Sequence, residues 1–406
     1  MLSFEDARKK VIEVVVGLRR IPATETVKLE NALGRILAEQ IAADRDYPPF
    51  DRATRDGFAV RAADCGKPGA KLRVIGEVQA GGTFTRKVSA GECVQIMTGA
   101  ALPDGADAVV MVEHTRPGAR QDEVVMEMSA ISGMNFVPAG SESRAADILL
   151  RARARIGYAE IALAAQVGRA EIKSYRKPRI AIVSTGNEVV PVDTQPGPFE
   201  IRNSNGASLA VQVRLAGGEA VPLGNARDRI EVLRQVIERG LEADALVVSG
   251  GISMGKYDLV GEVLRDLGAE FAFDGVAMRP GRPVTFGICK GKPVFALPGN
   301  PVSTMVTFEL FAVPAIDILC GTEARALTLL KAKLEKPTEQ KAPLTHFVPA
   351  NVQWRDGEAV VAELPWQGSG DIATLARGNC FLVVHQTKLK LAAGELVDVL
   401  PRRGLL

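Results

Sequence analysis

The chain has 406 residues, 47% hydrophobic and 24% charged, too long for one compact core and too apolar to be disordered. Its 50 Lys and Arg nearly balance 48 Asp and Glu, so no global basic field exists to recruit nucleic acid or acidic lipid, and 5% aromatics leave little surface for base stacking. Five scattered cysteines (Cys65, Cys93, Cys289, Cys320, Cys380) form no C-x-x-C pair, which points to a reducing compartment without a zinc knuckle or disulfide framework. The opening "MLSFEDARKK" carries acids where a signal peptide is apolar, so a cytoplasmic protein without membrane contact is expected.

In chain order, Ser3 with Asp6 three residues on, then Val11, Val14, Val15 and Leu18 at helical spacing, predicts a helix over 3–20. A second helix is expected over "LENALGRILAEQIAAD", ending near Asp44. From Tyr47 to about Val137 the texture changes to short β-like runs ("KLRVIGEV", "ECVQIM", "DAVVMVE", "EVVMEM") split by Gly and Pro. Helical periodicity returns in "GYAEIALAAQVG" (157–168). The β-rich unit 47–137 therefore reads as an insertion into a helical linker domain made of 1–46 and 138–177.

From Pro178 to about Gly321 apolar strands alternate with amphipathic helices: "RIAIVST", "GASLAVQVRLAGG", "EAVPLG", "DRIEVLRQVIERGL", "ADALVVSGG", "PVFALPGN" and "PVSTMVTFELFAVPAIDIL". That alternation predicts an α/β domain over 178–324 with a mostly parallel sheet covered on both faces. The last helix carries Glu309, Pro314 and Asp317 and reads as core rather than a membrane span. Short strands return in "HFVPANVQW", "EAVVAEL", "NCFLVVHQ" and "ELVDVL", giving a small β domain over 325–406.

Three glycine-bearing turns follow strands in the α/β unit: "STGNE" (184–188), "SGGISMGKYD" (249–258) and "LPGNPVS" (297–303). In an open parallel sheet such ends share one edge, where backbone N–H groups and helix dipoles favour an anion, most often phosphate. Glu188 and Asp258 each close a turn there. Asp228 in "NARDRIEV" either caps a helix or joins them. Carboxylates beside a phosphate repel it unless a divalent cation bridges them, so Mg²⁺ is implied. In "MRPGRPVTFG", Arg279 and Arg282 sit in a loop stiffened by Pro280 and Pro283 and could fork a tetrahedral oxyanion. "YPPFDRATRDGFAV" (47–60) and "IMTGAALPDGADAVV" (96–110) read as a linker and a hairpin on their own. G-x-G-x-x-G, the P-loop and G-x-S-x-G do not occur, which removes the ordinary dinucleotide, NTP and serine-hydrolase sites.

Seven segments taken in order, "PPFDRATRDGFAV", "GECVQIMTGAALPDGADAVVMVE", "STGNEVV", "SGGISMGKYD", "MRPGRPVTFG", "LPGNPVS" and "WQGSGDIATLARGN", resemble the molybdopterin molybdenumtransferases, the MoeA-type family related to the gephyrin E domain. The resemblance spans essentially the whole chain. It implies a four-domain homodimer with a molybdopterin-binding α/β domain and a small C-terminal β-barrel. The implied reaction inserts molybdate into adenylylated molybdopterin, cleaving the phosphoanhydride with Mg²⁺ and releasing AMP. Further implied partners are a molybdopterin adenylyltransferase and molybdoenzyme clients. Matched residue by residue, it implies nucleotide and pyrophosphate contacts at Thr185, Gly186, Glu188, Gly251, Ser253 and Asp258, with Glu188 and Asp258 on the metal. It further implies a functional acid at Asp228 and a molybdate seat at Arg279, Arg282, Ser303 and Ser369. Asp56 and Thr98 match the share contributed by the partner subunit's inserted domain.

The chain departs from that pattern in places. The family's Asn-Ser-Ala-Met run is Arg52, Ala53, Thr54 and Arg55 here. Its R-x-x-G-E-D motif is "VPAGSES", with Val137 in the arginine's position. Pro349 stands where a C-terminal-domain arginine is expected, and Arg282 fills the [KR] position of P-G-[KR]-P. Alternatives left open are a carrier that binds molybdopterin or finished cofactor without inserting metal, a tungstate-specific insertase, and a nucleotide pyrophosphatase sharing the α/β domain.

Overall fold

The computed structural model describes residues 1–18, 20–251 and 258–404. Its centre is a six-stranded sheet in the order Glu219–Ala226, Arg179–Thr185, Ala245–Ser249, Lys292–Leu297, Thr285–Cys289, Glu270–Asp274. The first four strands run parallel, Thr285–Cys289 runs against them, and the edge strand Glu270–Asp274 is antiparallel to Thr285–Cys289. The strands Arg179–Thr185 and Ala245–Ser249 are apolar nearly throughout and almost wholly buried, as strands covered on both faces must be. One face packs on the helices Phe4–Gly17, Ser204–Ala216 and the long helical run Pro301–Leu319; the other packs on Ile230–Gly240 and Leu259–Asp266. The run Pro301–Leu319 is the one described helix long and apolar enough to cross a membrane, and it lies buried in the core.

The first helix forms where its spacing predicts, with Ser3 capping through a bond from the Asp6 amide at 3.0 Å. Its buried stripe (Phe4, Ala7, Val11, Val15) packs on the α/β core, and Phe4 meets the barrel's Phe347 edge-on at 5.2 Å. The second expected helix does not form. Leu29–Asn31 is a single 3₁₀ turn, and the backbone then bonds to distant segments: Gly34 N to Ile156 O, Leu37 N to Ala154 O, Ala38 N to Lys173 O. Gly34 at φ +74° breaks the helical path. Arg35 is buried and donates to Ser174 and to the Tyr175 carbonyl, bonds a surface helix could not offer. Helix propensity yields to tertiary pairing here, and among its described residues the linker is less helical than expected, with Phe4–Gly17 and Tyr158–Gln166 its α-helices.

The inserted unit is a six-stranded sheet (Ala108–Met111, Gly57–Val60, Glu92–Ile96, Ala70–Val78, Glu123–Met126, Thr115–Pro117) whose two small cores draw only on residues between Ala53 and Met134. At the C-terminus Thr345–Arg355, Glu358–Glu363, Leu330–Leu334, Leu396–Pro401 and Cys380–Val384 close into a five-stranded barrel. The two-residue strand Met278–Arg279 of the α/β domain adds to it, running parallel to Thr345 and His346.

Candidate functional site

The C-terminal strand ends lie in register, Thr185 beside Ala226, and Ser184, Ser249 and Leu297 side by side. The chain leaves that edge through Gly186, Gly250 and Pro298, so the three glycine turns do share it. Between them opens a cleft of about 400 Å³ lined by Thr185, Gly186, Glu188, Asp228, Gly251 and Asn300 among others. Ser253 lies outside the described residues.

Close approach explains the glycines. A methyl group on Gly251 would stand 2.7 Å from the Thr185 hydroxyl, and one on Gly250 would stand 2.8 Å from the Thr185 carbonyl. Both residues also have positive φ, at +66° and +94°. Gly250 and Gly251 thus lie close against the neighbouring strand and line the cleft. The Thr185 hydroxyl there is buried without a partner among the described residues, as is the Asn205 side-chain oxygen. An unmade buried bond costs about 1–3 kcal/mol, so such atoms concentrate where a ligand completes them.

Asparagines lace the edge together. Asn203 caps the helix Ser204–Ala216, accepting from the Gly206 amide at 2.8 Å and from the Ser184 hydroxyl at 2.9 Å. Asn205 donates to Ser249 Oγ at 2.9 Å and to the Gly299 carbonyl at 2.7 Å. Sequence reasoning passed over both. The signal was the cap-like "RNSNG" just ahead of the predicted helix. The N-terminus of this 13-residue helix opens on the cleft and favours an anion there.

Asp228 does not cap the following helix, whose N-cap is Arg229. Its amide donates to Asn187 Oδ1 at 3.2 Å, and its carboxyl is held above the ordinary range by burial first and by the charge of Glu188 second, against the Asn187 backbone. Two acids facing each other across a cleft suit a hard divalent cation, which takes carboxylate oxygens and fills its remaining positions with phosphate oxygens and water. Glu188 and Asp228 are the acids that fit. Asp258 caps the helix Leu259–Asp266, accepting from the Gly261 amide at 2.9 Å with Arg265 at 3.6 Å. No cluster of three ligating side chains occurs among the described residues.

Arg279 and Arg282 are exposed, and neither has an ion-pair partner among the described residues. The strand pairing fixes Arg279 beside His346, whose ring is pushed toward neutrality by burial and further by the Arg279 charge. Ser303 is buried in the first turn of the long helix, and Pro283, next to Arg282, lines the cleft. Ser369 reaches the same turn from the barrel side: its hydroxyl accepts from Asn300 Nδ2 at 2.9 Å and its carbonyl from the Val302 amide at 3.0 Å. Asp56 and Thr98 come together, the carboxylate accepting from both the Thr98 amide and hydroxyl at 2.6 Å; these bonds lower the Asp56 pKa. They belong to the inserted sheet, whereas every cleft-lining residue falls between Ser184 and Pro301.

A parallel sheet with an anion-seeking edge, an inserted β sheet and an appended barrel define a multidomain ligand-binding α/β protein. Comparison with known proteins gives the family. Residues 2–168 match "MoeA N-terminal region (domain I and II)", 181–317 match "Probable molybdopterin binding domain", and 331–401 match "MoeA C-terminal region (domain IV)". A molybdopterin molybdenumtransferase of Staphylococcus aureus strain Mu50 is 32% identical over 397 residues, 97% of this chain and 94% of its own. One from Staphylococcus epidermidis strain ATCC 35984 is 30% identical over 404 residues, covering 98% and 95%. The crystal structure of a molybdopterin biosynthesis moeA protein from Pyrococcus horikoshii OT3 superposes with a TM-score of 0.84 at 26% identity, covering 99% of this chain and all of that one. The chain belongs to the MoeA family of molybdopterin molybdenumtransferases.

Proposed function

We propose that this transferase acts in molybdenum cofactor biosynthesis by inserting molybdate into adenylylated molybdopterin, with cleavage of the phosphoanhydride and release of AMP. The observation that carries the reading is the cleft edge itself, where a helix N-terminus and a buried Thr185 hydroxyl, unpartnered among the described residues, lie with the acid pair Glu188 and Asp228. The first two suit a phosphate group. The acids suit it only with a divalent cation between.

Mg²⁺ would be held by Glu188 and Asp228, with Asp258 as the further acid implied by the resemblance; once bound it would neutralise charge on the diphosphate. Thr185 and the backbone of Gly186 and Gly251 orient the phosphates. Arg279 and Arg282, with Ser303 and Ser369 at the helix start, receive the tetrahedral dianion. Two anions must meet at this edge, and cationic side chains offset their repulsion. Asp56 and Thr98 complete the site from a second copy of the chain, since the cleft of one copy draws nothing from the inserted sheet.

The test is AMP release from adenylylated molybdopterin, Mg²⁺ and molybdate by purified protein, with Asp228→Asn alongside. Release that depends on molybdate and drops at least a hundredfold in the variant supports the insertase. Tight pterin binding with no AMP would leave the carrier reading, and a preference for tungstate would change the metal but not the mechanism.

A further inference from the structure

The turn Gly186–Val189 carries Glu188 at the cleft, and its internal bond, Val189 N to Gly186 O, is long at 3.4 Å. Gly186, at φ +136°, makes room for the acid: a methyl group there would stand 2.7 and 2.9 Å from the two Glu188 carboxylate oxygens. The carboxylate therefore lies folded back over Gly186, and whatever holds that glycine holds Glu188. The hold comes from the neighbouring strand. Asn225 Nδ2 donates to the Gly186 carbonyl at 2.9 Å and to the Val189 carbonyl at 3.0 Å. Both amide protons go to the two ends of the turn, and two carbonyl partners fix which way the amide faces. The Asn225 oxygen is buried and has no partner among the described residues, a cost that an apolar side chain would not carry.

The edge strand Glu219–Ala226 is shaped to present this amide. Ile182 pairs with Pro222 and Ser184 with Asn225, so two steps along one strand match three along the other. Gly224, at φ +84°, takes up the extra residue. A slip of one residue turns the next side chain to the other face of a strand, and here it brings Asn225 onto the turn. Three positions on, the Asp228 amide donates to Asn187 Oδ1 at 3.2 Å. One segment thus bears the second acid and grips the turn that bears the first.

We infer that Asn225 is a positioning residue for the acid pair: by gripping both ends of the Gly186–Val189 turn it sets Glu188 against Asp228, and through them the affinity for the divalent cation. It acts through Glu188 and does not itself line the cleft. This inference rests on the metal reading proposed above.

The experiment measures Mn²⁺ affinity by electron paramagnetic resonance on the purified protein, alone and with ADP, and turnover as a function of Mg²⁺. The proteins are wild type, Asn225→Leu, Glu188→Gln and the double variant. Expected for Asn225→Leu is a rise of about tenfold in the Mn²⁺ Kd and in the Mg²⁺ concentration for half-maximal turnover, as for other residues that orient metal ligands. At saturating Mg²⁺ its kcat should stay within about threefold of wild type. A merely structural defect would lower kcat and leave the half-maximal Mg²⁺ where it was, which overturns the inference. In the Glu188→Gln background, Asn225→Leu should change the Mn²⁺ Kd by no more than about twofold, because the residue acts through Glu188. Effects that simply add would overturn the inference as well. Should Asn225→Leu not fold, the smaller Asn225→Ala is read by the same criteria. If Glu188→Gln weakens Mn²⁺ binding and the Asn225 variant does not, the inference fails alone. If Glu188→Gln binds as wild type does, or wild type binds no Mn²⁺ in either condition, the metal reading fails and takes the inference with it.

Discussion

Burial first, and the charge of Glu188 second, raise the Asp228 carboxyl above the ordinary carboxylate range. Its folded-state pKa is raised, so the protein is relieved of the repulsion below the ordinary carboxylate range and loses stability as pH rises through the folded value. Asp228→Asn should therefore abolish metal-dependent turnover and yet melt slightly higher than wild type at pH 7, by an increment of about 0.5 kcal/mol for a half-buried group on a solvent-open cleft. The gap should close as pH falls toward 4. Differential scanning fluorimetry across pH 4–8 checks it, and a lower melting point at pH 7 would contradict the opposed-acid geometry. The acids and glycines of this edge were legible in the sequence because each closes a turn directly after an apolar strand. Asn203 and Asn205 were not, since asparagine fits many turns and their partners at Ser184, Ser249 and Gly299 lie far off in the chain.

The long helical run shows what an element requires beyond its own sequence. Pro314 has no N–H to give the carbonyl of Leu310, and the run relaxes into a π turn over Phe308–Ala312. The orphaned Leu310 carbonyl is taken by Arg8, 2.8 Å away and 302 residues earlier in the chain. Arg8 also donates to the Arg325 carbonyl, so the first helix pins the long helical run and the exit from it. Arg8→Met keeps the aliphatic stem and leaves two carbonyls unpaired; a loss of about 1–3 kcal/mol is expected, read from urea unfolding followed by tryptophan fluorescence. A loss below about 0.5 kcal/mol would mean water replaces the guanidinium at no cost. The extent of this run was predictable from its apolar pattern, and the second helix was not, because only the fold reveals that Gly34, Leu37 and Ala38 bond to the segments 154–156 and 173.

At the scale of the whole molecule, a buried carboxylate ties three regions together. Asp317 is fully buried and bonded to Arg155 of the linker at 3.0 Å and to Arg325 at 2.7 Å, where the chain turns toward the barrel. Asp317→Ala takes the buried carboxylate from two arginines that are each only about two-thirds buried and should cost about 2–3 kcal/mol. Limited proteolysis should then cut between the linker and the α/β unit; a variant as protease-resistant as wild type would refute this. The dimer with a site shared between two copies, proposed above, makes a second prediction. Asp228→Asn and Asp56→Asn, each inactive alone, should regain about a quarter of wild-type activity after subunit exchange, because half the dimers become mixed and each holds one intact site. No recovery, with exchange verified by mass, would place Asp56 in the cleft of its own chain.

The pairing of Met278–Arg279 with Thr345 and His346, and the grip of Ser369 on Asn300, bear on how such a protein can be taken apart. A chain truncated after Leu319 would keep all nineteen described residues that line the cleft. It would lose the strand that fixes the Arg279 backbone and the hydroxyl that steadies the helix start. Such a fragment is expected to hold a nucleotide diphosphate and fail to seat the oxyanion. The barrel is then less an appendage than the outer jaw of a vice whose inner jaw is the sheet.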